Sequence, residues 1–198
     1  MPGANDSVAL GERLVKWGVY MAVPPQALAA FMTDKTGHVH QGSLPPGMMP
    51  LATERTLKDK LSRAMPDFYA EILTRSRDTF AYSIYDCEVP AYRRGRIWLV
   101  GDAGAFARPH SGAGALKGIN DAIALGEALN GKLALDAALA VWDLERTVGN
   151  NQLMRFGNQL GQAFVTEIPD WSDMDLTAME TWFNSVVTIR SDYIPARS

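Results

Sequence analysis

Cysteine is almost missing: Cys87 is the only one in 198 residues, which excludes an internal disulfide and any cysteine-rich metal site. An excess of basic charge is missing too. Nineteen Lys and Arg face 22 Asp and Glu, a formal charge of −3, so bulk charge cannot recruit nucleic acid, although a local patch stays open. No apolar run approaches the roughly 18 residues that a bilayer span requires. Residues 1–10 lack the basic stretch and apolar core of a secretory signal. Internal repeats and low-complexity linkers are absent as well. What remains is a chain that is 47% hydrophobic, too apolar for disorder and long enough to bury a core without staples. The expectation is a globular, cytoplasmic protein of one ordinary domain or two small ones, with no membrane or nucleic-acid partner.

Strand composition comes first. Residues 14–23 (LVKWGVYMAV) are rich in β-branched and aromatic side chains and read as a strand that Pro24 and Pro25 end. A short helical turn follows over 26–32, then turn chemistry at 33–37 and a second strand over 38–44. Residues 56–65 and 67–74 have helical character, with Pro66 suited to the first position of the second helix. Residues 80–89 (FAYSIYDCEV) return to strand. After the basic turn 92–96, four consecutive apolar residues, 97–100 (IWLV), predict a strand buried on both faces, as in a parallel sheet. A helix is expected over about 115–129, stopped by Asn130-Gly131. A long helical stretch follows over 133–164 with a break at 149–151. Its apolar stripe is Leu153, Phe156, Leu160 and Phe164. A last helix spans 173–187. Strands first, one buried strand, then helices: the order reads as an α+β unit joined to part of an α/β layer.

The chemistry concentrates in residues 96–129, RIWLVGDAGAFARPHSGAGALKGINDAIALGEAL. A strand ending at Gly101-Asp102 places a carboxylate at its carboxyl edge, where ligands bind in open α/β sheets. The glycines and alanines that follow leave the backbone approachable, and a helix opens near Gly114 with unpaired amides and a positive dipole end. Together they predict a shelf for an extended, hydroxyl-bearing, partly anionic ligand, with Asp102 accepting from hydroxyls and the helix start facing negative charge. The plain alternative is a strand–loop–helix connection whose glycines only permit close packing.

Gly101-Asp102-Ala103, Pro109, Gly112, Gly114, Gly118 and Asp121-Ala122 together resemble the second FAD-binding motif of the class A flavoprotein monooxygenases, the aromatic hydroxylases of the p-hydroxybenzoate hydroxylase type. Arg108-Pro109-His110 looks most like the 2,6-dihydroxypyridine hydroxylase subgroup. Upstream, Trp17-Gly18-Val19-Tyr20, Thr33-Asp34 and Ser43-Leu44-Pro45-Pro46-Gly47 are similar to that subgroup's substrate-domain strands. The resemblance covers about residues 11–164. It implies the carboxyl-terminal part of that fold, with a partial substrate domain over 11–90, a partial FAD domain over 91–165 and a helix and tail over 166–198. It also implies a monooxygenase that uses FAD, NAD(P)H and dioxygen to hydroxylate a small aromatic or N-heterocyclic ring. Carried over, Gly101 and Asp102 would hold the ribityl chain and Pro109 would lie beside the isoalloxazine. Gly112, Ala113, Gly114 and Ala115 would offer the helix-start backbone to the flavin's pyrimidine edge, where reduced flavin carries negative charge.

One departure is large: no G-x-G-x-x-G for the ADP half occurs anywhere in the chain. The reading therefore includes a second chain that supplies that half. A catalytically silent homologue serving as a binding or assembly partner, or a sequence from an incomplete gene, stay open beside it. A smaller departure is Gly104-Ala105 where the family commonly has Ala-His.

His110, next to Pro109, is a candidate catalytic residue that could hydrogen-bond substrate, or else a loop histidine held by its backbone. His38 and His40 lie two apart on one strand with no third ligand in view, so no metal is expected. Arg93, Arg94 and Arg96 read first as a charged edge and second as a phosphate holder. Trp17, Tyr20, Tyr82 and Tyr85 read first as core and second as an aromatic-substrate pocket. Cys87 reads as a half-buried small hydrophobe. Unpaired strand edges imply a homo-oligomer.

Overall fold

The computed structural model describes residues 1–187, and the chain falls into two compact units, Met1–Ser83 and a second from Ile84 onward. The tail predicted over 188–198 lies outside the described residues.

In the first unit, prolines start all three α-helices. Pro24 (φ −56°), Pro50 (φ −59°) and Pro66 (φ −56°) occupy the positions just before α1 (Pro25–Phe31), α2 (Leu51–Ser62) and α3 (Asp67–Arg75). Their fixed φ matches an extended cap, and the missing N–H is no loss there. Pro66 is thus the cap of α3 rather than its first residue, and α2 begins five residues before the predicted 56. Two short strands, β1 (Ser43–Leu44) and β2 (Ala81–Tyr82), pair antiparallel with Leu44 opposite Ala81. Met32, Leu44 and Met49 form the core beneath them, packed by Phe31, Leu57 and Ala81.

The predicted strand over 14–23 is not formed, and those over 38–44 and 80–89 shrink to two residues each. Strand composition only makes a segment fit a pleated surface; a ladder needs a neighbour. Among the described residues 14–23 join no β-ladder; Leu14 alone exchanges backbone hydrogen bonds, with Met1. Tyr20, Tyr82 and Tyr85 are more than half exposed or close to it, which overturns the reading of these rings as core.

A hairpin opens the second unit. β3 (Arg93–Arg94) and β4 (Ile97–Trp98) pair antiparallel around Gly95, whose φ of +61° suits glycine. The predicted doubly buried, parallel strand over 97–100 is corrected: its partner is antiparallel, Ile97 is 70% exposed and Val100 41%. Four apolar residues in a row report a preference for cover; they do not report whether the covering elements are present. Asp143 accepts the Tyr92 and Arg93 amides at 2.6 and 2.9 Å, and Arg93 also pairs with Asp136 at 2.5 Å. The basic turn is therefore a charged edge that Arg93 bonds to the helix over 135–161.

Helix α4 (Gly114–Asn130) ends at Gly131, as the sequence predicts. Helix α5 (Leu135–Gly161) runs 27 residues without the predicted break at 149–151 and finishes in a π-helical turn, Gln162–Thr166. The polar pair that signals a loop is here turned to use. Asn150 is buried and bonds to Asp121, while Asn151 bonds the Val89 backbone in both directions. Helix α6 (Leu176–Val187) follows, with Asp175 accepting the Ala178 amide at 2.7 Å. Leu153, Phe156 and Leu160 of the predicted stripe form a core with Val186 and Trp182. Phe164 leaves it, 40% exposed and edge-on to Trp182 at 5.4 Å. A second core joins Tyr92, Ala105 and Trp142. No helix among the described residues is long and apolar enough to cross a membrane.

Candidate functional site

The Gly-Asp turn is built by bonds to both sides of one glycine. Gly101 has φ +58°, in the left-handed region that glycine enters freely. Its N–H donates to Asp121 Oδ2 at 3.0 Å, and its carbonyl accepts from Lys117 Nζ at 2.7 Å. A Cβ on Gly118 would lie 3.6 Å from the Gly101 Cα, so helix and turn meet backbone to backbone. Asp102 then emerges exposed, with no hydrogen-bond or ionic partner among the described residues. A carboxylate so placed can accept from ligand hydroxyls at no cost in broken protein contacts.

After the turn the chain dives. Gly104 and Ala105 are buried, the Ala105 amide donating to the Tyr92 hydroxyl at 2.9 Å. A Cβ on Gly104 would fall 2.4 Å from the Tyr92 ring, which explains why glycine stands where the family commonly has alanine. Arg108 reaches Asp86 at 2.6 Å, and the same carboxylate oxygen accepts from Asn158 at 2.9 Å.

Pro109, exposed, opens a single 3₁₀ turn to Ser111, and Gly112 (φ +63°) closes it in the left-handed conformation. The predicted helix-start amides then divide. The Gly112 N–H is taken by the Pro109 carbonyl at 3.0 Å, and that of Ala113 by Ser111 Oγ at 3.3 Å. Gly114 and Ala115, exposed at the first turn of α4, hold amides without an internal acceptor, the usual condition of a helix start. These two, rather than Gly112 and Ala113, face outward ready to donate.

His110 is half-buried against α5. Burial first, and the neighbouring Arg108 charge second, hold its imidazole below the ordinary histidine pKa, which favours the neutral ring at neutral pH. Two glycines make this seat. A Cβ on Gly157 would press on the Arg108 backbone at 3.2 Å, and one on Gly161 would lie 3.1 Å from His110 Nδ1 and the Arg108 side chain.

The sequence reading missed this Gly-x-x-x-Gly pair, which was legible as glycines four apart in a helix. It also missed Lys117, whose Lys-x-x-x-Asp spacing to Asp121 usually marks an exposed pair. Here both are buried, at 4% and 0% exposure.

In the first unit, Asp34 is buried and accepts from the Thr36 hydroxyl and amide, the His38 amide and His40 at 2.9 Å. The Thr36 hydroxyl foremost, then His40, holds its carboxyl well below the usual range. His40 is thus tied to a carboxylate, and the described residues hold no cluster of three or more metal-ligating side chains. A recess of about 500 Å³ between Lys35, Met49, Pro50 and Thr79 belongs to this unit. Two of its charges are already engaged, Lys35 with the Gly47 carbonyl and Glu54 with Lys58 and Thr79, while Asp78 also lines it.

FAD is the group this fold implies, and the donor set fits one side of it. A free carboxylate suits a polyol, and paired outward amides suit a carbonyl edge. Residues 1–86 match a family described as FAD binding domain-like. The chain is 31% identical over 126 residues to the FAD-dependent monooxygenase SAT7 of Stachybotrys chartarum, covering 60% of this chain and 27% of that protein. It is 29% identical over 154 residues to the FAD-dependent monooxygenase pigN of Monascus ruber, covering 69% and 34%. In fold it is similar to 2,6-dihydroxypyridine-3-hydroxylase of Arthrobacter nicotinovorans, with a TM-score of 0.64 at 22% identity over 75% of this chain and 39% of that one. Klebsiella pneumoniae HpxO, solved with FAD and uric acid, gives 0.54 at 21% identity over 71% and 38%. The chain spans about a third of the curated relatives it matches. Within that span the chain is similar in sequence to FAD-dependent monooxygenases and similar in fold to 2,6-dihydroxypyridine-3-hydroxylase.

Proposed function

We propose that the chain forms the ribityl and pyrimidine side of the flavin site in a monooxygenase that hydroxylates a small aromatic or N-heterocyclic compound, with NAD(P)H as reductant. The unengaged Asp102 carboxylate, on a turn bonded directly to the helix that starts with the outward Gly114 and Ala115 amides, carries this reading. Asp102 would bind ribityl hydroxyls, and the two amides would bind the carbonyl edge of the ring. Pro109, fixed in φ and exposed, would pack beside that ring. Bound FAD supplies the activation of dioxygen; the chain's own residues hold and orient it. A neutral His110 can accept a proton from a substrate hydroxyl, which is the role we assign it.

No residue of the chain forms a Gly-x-Gly-x-x-Gly cradle for the ADP half, so we assign that half to further polypeptide. Residues 1–83 would serve as the substrate-binding unit and the remainder as the flavin unit. A second reading, a silent assembly partner, draws on exposed Leu116, Ile119 and Ile123 of α4 and Val141, Leu144 and Val148 of α5, faces that also favour self-association.

Titration of the purified protein with FAD, followed by flavin absorbance and fluorescence, separates the two. A bound, yellow complex that Asp102→Ala weakens by about tenfold or more supports the flavin reading, since a charged acceptor is removed. Asp102→Ala should leave stability within about 0.5 kcal/mol, as an exposed unpartnered residue does. Protein that takes up neither FAD nor riboflavin, which carries only the ring and ribityl chain, supports the silent partner.

A further inference from the structure

Lys117 and Asp121 are the most deeply enclosed charges described, with side chains 1% and 0% exposed, and nothing above gives them work in the reaction. An enclosed ion pair is a poor way to gain stability, because desolvating two charges offsets most of their attraction and apolar residues of similar volume do as well. What distinguishes this pair is where its bonds go. Lys117 Nζ reaches Asp121 Oδ2 at 3.1 Å and the Gly101 carbonyl at 2.7 Å. Asp121 Oδ2 in turn accepts the Gly101 amide at 3.0 Å, so both backbone groups of a single left-handed glycine are held by charged partners. The other carboxylate oxygen is fixed by Asn150 at 2.8 Å from α5, with Arg146 further off at 3.9 Å. The ammonium also lies over the Tyr92 ring, 5.4 Å from its centre, and the Tyr92 hydroxyl holds Ala105 at the far end of the same turn.

We infer that the Lys117–Asp121 pair is a spacer that sets the Asp102 carboxylate at a fixed offset from the Gly114 and Ala115 amides. Both halves of that offset belong to one helix: α4 begins at the two free amides and, one turn and two turns later, carries the two residues that grip Gly101. A ligand spanning the carboxylate and the amides would meet a preset distance rather than one it must impose, which lowers the ordering cost of binding. Lys117 and Asp121 act through Gly101 and Asp102, and are positioning residues. This inference rests on the flavin reading for the identity of the ligand, but not for the existence of the clamp.

Two neutral double variants test it. Lys117→Met/Asp121→Asn keeps an acceptor for the Gly101 amide and abolishes the donor to its carbonyl. Lys117→Gln/Asp121→Asn restores a donor on a shorter side chain. Native-state amide exchange and FAD titration are measured on the wild type and on each variant that folds. In the Met/Asn variant, exchange at Gly101 and Ala103 should rise about tenfold or more relative to Leu153 and Phe156 in α5. The FAD dissociation constant should rise by a similar factor, with the Gln/Asn variant between it and the wild type. An equal rise at α5 would reduce the pair to a general stabiliser and overturn the inference. Faster exchange at the turn with unchanged FAD affinity would overturn it too. If the wild type itself takes up neither FAD nor riboflavin, the flavin reading fails by itself, and the clamp is judged on the exchange pattern alone.

Discussion

At the scale of single residues, the tightest glycine constraint in the second unit is the contact of Gly104 with Tyr92. A methyl group at position 104 would collide with the ring at 2.4 Å, and the ring is itself buried beside Trp142 and pinned by its hydroxyl. Gly104→Ala should therefore destabilise by about 1–3 kcal/mol, the range for forced overpacking, read as a lower denaturation midpoint at unchanged slope. Asp34 gives a pH signature. Its folded carboxyl is held below the ordinary value near 3.8 by the Thr36 hydroxyl and His40, so its stabilisation is complete above about pH 4 and fades as pH falls through the folded value. Acid titration of stability should thus decline below about pH 4 in the wild type and decline less in Asp34→Asn. The helix start near Gly114 was legible in the sequence because its signal is local. Lys117 was not, because its meaning depends on burial, which its spacing alone does not report.

Elements were legible wherever a local signal both starts and stops them. The proline starts, the Gly131 stop and the 3.6-residue stripe of Leu153, Phe156 and Leu160 all point to helices that form. Strands were not, since residues 14–23 carry the composition without joining a ladder and 97–100 pair in an antiparallel hairpin instead of a buried parallel sheet. The seat on α5 yields the prediction at this scale. Alanine in place of glycine in a helix gains about 1 kcal/mol of propensity. At Gly161 the obstacles are the ends of the Arg108 and His110 side chains, which can move, so Gly161→Ala should be near neutral. At Gly157 they are the Arg108 amide and carbonyl at 3.2 and 3.3 Å, which cannot move without shifting the loop. Gly157→Ala should lose about 1–2 kcal/mol net, and thermal melts of the two variants should rank in that order.

Over the whole molecule, one stretch of 34 residues carries the resemblance to flavoprotein hydroxylases, and the chain divides into two units between Ser83 and Ile84. Domain limits follow from which side chains share a core, as Met32 does with Leu44 and Met49, and such pairings are invisible in linear order. The enclosure of Lys117 has a practical consequence of its own. Amine-acylating reagents should mark the solvent-facing lysines of the native protein within minutes and spare this one until the second unit opens. Peptide mapping after timed acetylation would then use a natural side chain as a gauge of opening, with early modification at Lys117 the result that contradicts its enclosure.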